Sequence, residues 1–151
     1  MALIVKYLKV LLLLVIGVVF LACEKKAETG VAEVHWDRDM CSRCVMVVSD
    51  RKNTVQVRNP DTSKTYMFDD IGCMALWFEE EKIEWKNKAI VWVTDLESGE
   101  FIDARAAFYD TNNITPMAYG FSAHKSKNSI KKDEEIISYD EVIKRVVKIG
   151  Q

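Results

Sequence analysis

The first apolar stretch of the chain runs from Val10 to Ala22, follows Lys6 and Lys9, and ends at Cys23. A helix needs about 20 apolar residues to cross a bilayer, so this run is short for a membrane span. Its length and basic flank are typical of a secretory signal. We therefore predict a signal peptide over residues 1–22 and an exported protein.

The end of this signal carries a second prediction. The sequence Phe20-Leu21-Ala22-Cys23 resembles the lipobox of bacterial lipoproteins, in which the cysteine is lipidated and becomes the new N-terminus. An ordinary signal peptide or an uncleaved anchor is the alternative. The charged, aperiodic residues after Cys23 predict a lipidated tether over 23–33, and one domain follows over 34–151. We expect a protein anchored to a bacterial membrane and facing the periplasm or the cell exterior.

The first part of the domain shows the period of β-strands. Valines alternate with other residues on both sides of the polar segment 49–53, which predicts strands near 44–49 and 53–59 joined as a hairpin. A turn at Asn59-Pro60-Asp61 then leads to a short strand over 65–67.

At Asp69 the period changes to that of a helix. Asp69 can cap backbone N–H groups, and apolar residues follow at spacings of three and four, so we predict a helix of about a dozen residues. Gly72 costs roughly 1 kcal/mol there relative to alanine, which predicts a close approach of a neighbouring backbone or an irregular start. Later segments predict strands over 89–95 and around 117–124, and an amphipathic helix over 139–149.

A shift of 71 residues aligns two parts of the chain. Met46 then falls on Met117, and the segment Phe68-Asp69-Asp70-Ile71 falls on Tyr139-Asp140-Glu141-Val142. The hypothesis that follows is a domain of two similar strand-then-helix halves, with both methionines at equivalent places. Such pseudo-symmetry predicts that the two thioethers share one site.

The sequence DMCSRCVM contains the densest group of sulfur side chains in the domain: Met40, Cys41, Cys44 and Met46. Thiolates and thioethers together select the soft cation Cu(I), whereas zinc prefers thiolate and imidazole. Cys41, Cys44 and Cys73 are also an odd number of cysteines after Cys23, so they cannot all pair in disulfides. We therefore predict a Cu(I) site.

Three other interpretations of the CxxC at Cys41 and Cys44 stay open. A thiol-disulfide oxidoreductase would place it between a strand and the helix that it opens, but here a strand-like segment follows. A zinc-stabilised interaction module would need Cys73 and His124 or His35 as further ligands. A disulfide between Cys41 and Cys44 would close a very small loop and stabilise little.

Outside the CxxC, four residues are candidate ligands. Met46 and Met117 are the candidate thioethers, and Met117 follows a proline that restricts the preceding backbone. Cys73 and His124 are less certain additions. Met40 is left out, because an extended backbone would point it away from Cys41.

Composition and motifs give no support to two classes of function. The formal net charge is −2, with 21 basic and 23 acidic residues, which gives no reason to expect a nucleic-acid partner. The sequence shows no recognisable group of nucleophile, base and orienting acid, and no glycine-rich phosphate loop. We therefore expect a binding protein rather than an enzyme.

The chain resembles the NosL family of exported lipoproteins. The resemblance rests on Cys23 and on blocks that follow in the family's order: CSRCVMVVSD, MFDDIGCMALW, WVTDLESGEFIDARAAFY and TPMAYGF. It implies an α+β fold of two small ββαβ-like halves, each a short antiparallel sheet with a helix. It also implies a copper chaperone that acts in the maturation of nitrous oxide reductase.

On this resemblance, the metal ligands would be Cys41, Cys44, Met46 and Met117, and Cys23 would be the lipid site. The expected cargo is Cu(I), with zinc as the alternative. The expected partners are the membrane, through the lipid, and maturation proteins such as an ABC-type transporter complex or the apo-enzyme itself. Family members also occur apart from nitrous oxide respiration, so a copper chaperone is the firmer expectation.

Overall fold

The computed structural model describes Tyr7 and residues 30–150. Apart from Tyr7, the predicted signal peptide, the lipid site Cys23 and the tether up to residue 29 lie outside the described residues. Among the residues described, no helix combines the length and apolar character that a membrane crossing needs.

The larger sheet has four antiparallel strands: β1 (Val55–Arg58), β2 (Thr65–Phe68), β3 (Ile90–Thr94) and β4 (Phe101–Asp103). Their order across the sheet is β2-β1-β3-β4. All four residues of β1 are buried, and Val57 pairs with Tyr66 on one side and Val91 on the other. The strands predicted over 53–59, 65–67 and 89–95 are confirmed.

The strand predicted near 44–49 is wrong. Among the described residues, this segment contributes only the isolated bridge between Met40 and Val47. The Cys41 N–H bonds to the Met46 carbonyl at 2.8 Å, and Val45 has a φ of 60°. The segment therefore forms a tight turn that is hydrogen-bonded within itself, and it does not pair with β1 as a hairpin strand.

Helix α1 (Ile71–Glu80) packs against the sheet and is buried from Ile71 to Phe78. Its N-cap is Asp70 rather than the predicted Asp69: the Asp70 Oδ1 accepts from the Gly72 N–H at 2.7 Å. The approach at Gly72 comes from a side chain and not from a backbone. A Cβ at Gly72 would lie 2.0 Å from the ring of Tyr119.

The second half of the domain is a smaller sheet with its own helix. Strands β5 (Phe108–Tyr109) and β6 (Ala123–His124) pair antiparallel, and a short 3-10 helix spans Lys127–Ser129. The strand predicted around 117–124 is thus confined to its last two residues, because Ala118 and Gly120 have φ angles of 58° and 83° and turn the chain.

Helix α2 (Tyr139–Ile149) has the predicted bounds and packs on α1. The Tyr139 hydroxyl donates to the Met74 sulfur at 3.9 Å. The predicted α+β class, with a helix and a short antiparallel sheet in each half, is confirmed. The two N-caps, Asp70 and Ser138, lie 68 residues apart (138 − 70), so α2 starts about one turn earlier than the 71-residue shift implies.

Candidate metal centre

A tight turn holds the CxxC in place. The Val45 N–H bonds to the Cys41 carbonyl at 3.1 Å, and the Ser42 N–H bonds to the Met67 carbonyl of β2 at 2.7 Å. The Arg43 guanidinium donates a hydrogen bond to each carboxylate oxygen of Glu80, at 2.7 and 2.9 Å. The turn is therefore fastened at one side to the larger sheet and at the other to the end of α1.

Four ligand side chains converge between this turn and the start of α1. The Sγ atoms of Cys41, Cys44 and Cys73 and a carboxylate oxygen of Asp69 all lie within 4.8 Å of one another. All three cysteines are free; Cys41 and Cys73 are buried and Cys44 is half-buried. Asp69 precedes the N-cap of α1 and Cys73 lies in its first turn, so both belong to the start of this helix.

Electrostatics favour a thiolate at Cys41. The Cys73 thiol donates to the Cys41 sulfur and lowers the pKa of Cys41 to about 4, with support from backbone N–H groups that include those of Cys44 and Arg43. The same hydrogen bond raises the pKa of Cys73, and burial adds to the effect. Because the thiolate is the form that binds a metal ion, one ligand is available at neutral pH.

Cys44 is the more open member of the cluster, and it lies against the buried carboxylate of Asp69. The Cys44 Sγ lies 3.6 Å from each carboxylate oxygen of Asp69. Desolvation raises the pKa of Cys44, and desolvation followed by the Cys41 sulfur raises the pKa of Asp69 to about 6. The sulfur that an incoming ligand can reach is therefore the protonated Cys44 thiol.

Asp70 ties the Met117 segment to the same helix start. Its Oδ2 accepts from the Thr115 hydroxyl at 2.6 Å and from the Met117 N–H at 3.2 Å. The ring of Tyr119 packs over Gly72, the residue that precedes Cys73. Met117 itself is half-buried against the hydrophobic core. The backbone of Met117 is thus held at the residue that follows Asp69.

Met46 closes the turn that holds the CxxC. Its carbonyl accepts from the Cys41 N–H, and its side chain is 51% exposed. The structure therefore brings the backbones of both candidate methionines to the borders of the cysteine cluster, one through Cys41 and one through Asp70.

His124 lies elsewhere. It is buried in β6, where its Nε2 lies 2.8 Å from Asp110 Oδ2. Its Nδ1 has no hydrogen-bond partner among the described residues. The cluster contains Cys73 and Asp69 but not His124. Of the two less certain ligands, the structure brings Cys73 to the CxxC and does not bring His124 there.

The sequence interpretation missed Asp69 as a member of the cluster. It treated Asp69 as the helix cap, whereas Asp70 has that role. No local pattern marks Asp69 as a ligand, because it precedes the helix and meets the cysteines only through the packing of α1 against the CxxC turn.

No protein-family model and no curated protein matches the sequence. The structure is similar to the crystal structure of the copper chaperone NosL from Shewanella denitrificans, with a TM-score of 0.60. The match covers 74% of this chain and 94% of that one, at 15% sequence identity. The chain therefore has a NosL-like fold, as its sequence motifs predicted.

Proposed function

We propose that this chain is a membrane-anchored Cu(I) chaperone. The observation that carries the proposal is the convergence of three free cysteines at the start of α1, in a fold shared with a protein described as a copper chaperone. Soft thiolate ligands favour Cu(I), and a buried cluster keeps the ion from solvent. In this proposal the chain binds and transfers copper and catalyses no reaction.

The proposed ligands are Cys41, Cys44 and Cys73, with the thioethers of Met46 and Met117 at the two borders. Cys41 supplies a thiolate at neutral pH, and Cys44 and Cys73 lose their protons when the ion binds. Thioethers need no deprotonation, so they retain the ion while a thiolate exchanges with a ligand of the recipient.

The location of the chain and the recipient of its copper are proposed from the sequence. A lipid on Cys23 would confine the domain to the outer face of a membrane, where a multiply acylated terminus gives stable anchoring. The recipient would be an extracytoplasmic copper enzyme, with nitrous oxide reductase maturation as the leading candidate, reached directly or through an ABC-type transporter complex.

Anaerobic competition between the reduced protein and a Cu(I) chelator tests the copper site. We expect Cys41→Ser/Cys44→Ser to weaken Cu(I) binding by roughly two decades or more, equivalent to about 2.7 kcal/mol. Met117→Ala should weaken it less. Met40→Ala is the matched control, since Met40 is exposed and directly precedes Cys41. Unchanged affinity in the double variant would refute the proposed site.

Zinc is the second candidate, and Asp69 is the observation that favours it. A carboxylate suits zinc but is a poor ligand for Cu(I). If zinc is the resident ion, Asp69→Asn should lower zinc affinity and the metal content of the purified protein. If copper is the cargo, Asp69→Asn should leave Cu(I) affinity close to that of the wild type.

A further inference from the structure

Four exposed apolar side chains lie in the same turn as Cys41 and Cys44. Met40, Val45, Met46 and Val47, here called the apolar tip, are 45%, 66%, 51% and 43% exposed. The bridge between Met40 and Val47 and the bond from Cys41 to Met46 hold them together on one turn. The tip is therefore a preformed surface.

Val45 is an unfavourable residue for its place in the free domain. Its φ of 60° lies in the left-handed region, which glycine and asparagine tolerate and which is an outlier for a β-branched residue. With two thirds of its surface exposed, the side chain gains little from packing inside the domain. A contact outside the chain would give this side chain a role that offsets the strain.

The tip also lies where copper would enter or leave. Cys41 and Cys73 are buried, so an incoming ligand meets the cluster first at half-buried Cys44, which directly precedes Val45. A protein that exchanges a ligand with Cys44 would come next to Val45 and the turn that carries the tip. An apolar surface excludes water from such a contact.

We propose that the apolar tip is the docking surface for the protein that exchanges copper with this chain. This inference rests on the proposed function. The partner would present an apolar patch with a sulfur or imidazole donor within it. In the exchange, one Cu–S bond to Cys44 breaks as one bond to the partner's donor forms, and copper stays Cu(I). Cys44 takes up a proton from solvent, and a partner thiol releases its proton to solvent, whereas a neutral imidazole or a thioether has none to release.

A membrane surface fits the tip less well. Segments that lie in a membrane interface combine aromatic anchors with lysine and arginine. Residues 39–50 contain no aromatic residue and two acidic residues, Asp39 and Asp50, against one basic residue. That basic residue, Arg43, is paired with Glu80.

A stable dimer of this chain also fits less well. Standard interfaces use about 20–30 residues on each side, and the tip offers four exposed apolar side chains. So small a contact favours a weak and transient complex, which is what repeated transfer requires.

The test begins with a photo-crosslinker, p-benzoylphenylalanine, placed at position 45 of the full-length chain in the bacterium that encodes it. The matched control places it at position 149, since Ile149 is 63% exposed and lies at the end of α2. We expect a copper-dependent adduct with a different protein at position 45 and none at position 149.

Transfer kinetics then decide whether that protein is the partner. The crosslinked protein, once purified, should take Cu(I) from the wild-type chain about ten times faster than from the Val45→Asn variant. The Ile149→Asn variant should transfer Cu(I) at the wild-type rate. Asparagine suits the left-handed backbone, so Val45→Asn removes the apolar side chain without threatening the fold.

Other outcomes overturn the inference. An adduct with lipid would assign the tip to the membrane, and an adduct with a second copy would assign it to self-association. Absence of an adduct, or equal transfer rates, would contradict docking. Chelator competition separates the docking proposal from the proposed function. If the wild type binds no Cu(I), the proposed function fails. If the wild type binds Cu(I) and Val45→Asn loses Cu(I) affinity, the tip belongs to the metal site and the docking proposal fails.

Discussion

The two helices of the domain start from similar sequences but in different surroundings. Phe68-Asp69-Asp70-Ile71 leads into α1, and Tyr139-Asp140-Glu141-Val142 lies within the first turn of α2. In α1 the cap is Asp70, so both acids precede the helix and are buried. In α2 the cap is Ser138, so the acids fall in the first turn.

The difference lies in what packs against each helix start. At α1, the cysteine turn and the Met117 segment cover both aspartates, and the acids bond to Cys44, Thr115 and Met117. At α2, Asp140 is exposed and Glu141 pairs with Arg145 at the surface. The same local pattern thus forms a candidate metal centre in one half and an ordinary capped helix in the other.

The largest expected difference between the two helix starts is in the unfolding free energy lost when each N-cap residue is replaced by alanine. Asp70→Ala removes a cap and leaves the buried Thr115 hydroxyl and the Met117 N–H without an acceptor, so it should cost about 3–5 kcal/mol of unfolding free energy. Ser138→Ala loses only a surface cap and should cost about 1 kcal/mol. Urea unfolding followed by tryptophan fluorescence measures both. Equal losses would show that the two helix starts are energetically alike.

A methyl group at Gly72 tests the packing over the first helix start. Gly72→Ala collides with the Tyr119 ring and should destabilise the domain by about 1–3 kcal/mol. At the corresponding place in α2, Asp140→Ala should cost no more than about 1 kcal/mol, mainly from its lost interaction with the helix dipole.

A double-mutant cycle gives the control for this collision. When Tyr119 is already replaced by alanine, Gly72→Ala should cost much less unfolding free energy than it does in the wild type, because the colliding ring is gone. Simple additivity of the two changes would contradict the contact.

The smallest expected effect concerns the ion pair that fastens the cysteine turn to α1. Glu80→Gln breaks the bidentate contact with Arg43 and should cost at most about 1 kcal/mol, since half of the Glu80 side chain is exposed. The loss should shrink in high salt, where exposed charges are screened. Thermal unfolding at low and high salt measures it, and a large loss that salt does not alter would contradict this assignment.

Regular periodicity made most of the secondary structure predictable. The apolar spacing of residues 139–149 gave the bounds of α2, and the alternating valines gave β1. The same alternation failed at Val45 and Val47, because it cannot reveal a left-handed residue or a turn closed by the Cys41–Met46 hydrogen bond.

The candidate site was predictable only where its residues are close in sequence. The CxxC spacing identified Cys41 and Cys44, whereas Met46 and Met117 were proposed from their sulfur chemistry and the 71-residue shift and stay candidates. Asp69 and the position of Cys73 depend on how α1 packs against the turn, which is a contact across 25 residues or more. Local patterns do not contain that information.

X-ray absorption at the copper edge, on the reduced protein loaded with one equivalent of Cu(I), identifies the atoms that bind the ion. We expect a first shell of sulfur that loses a scatterer in Cys73→Ser and is unchanged in His124→Ala. A shell with imidazole scattering that disappears in His124→Ala, or a shell unaffected by Cys73→Ser, would contradict a copper site at the start of α1.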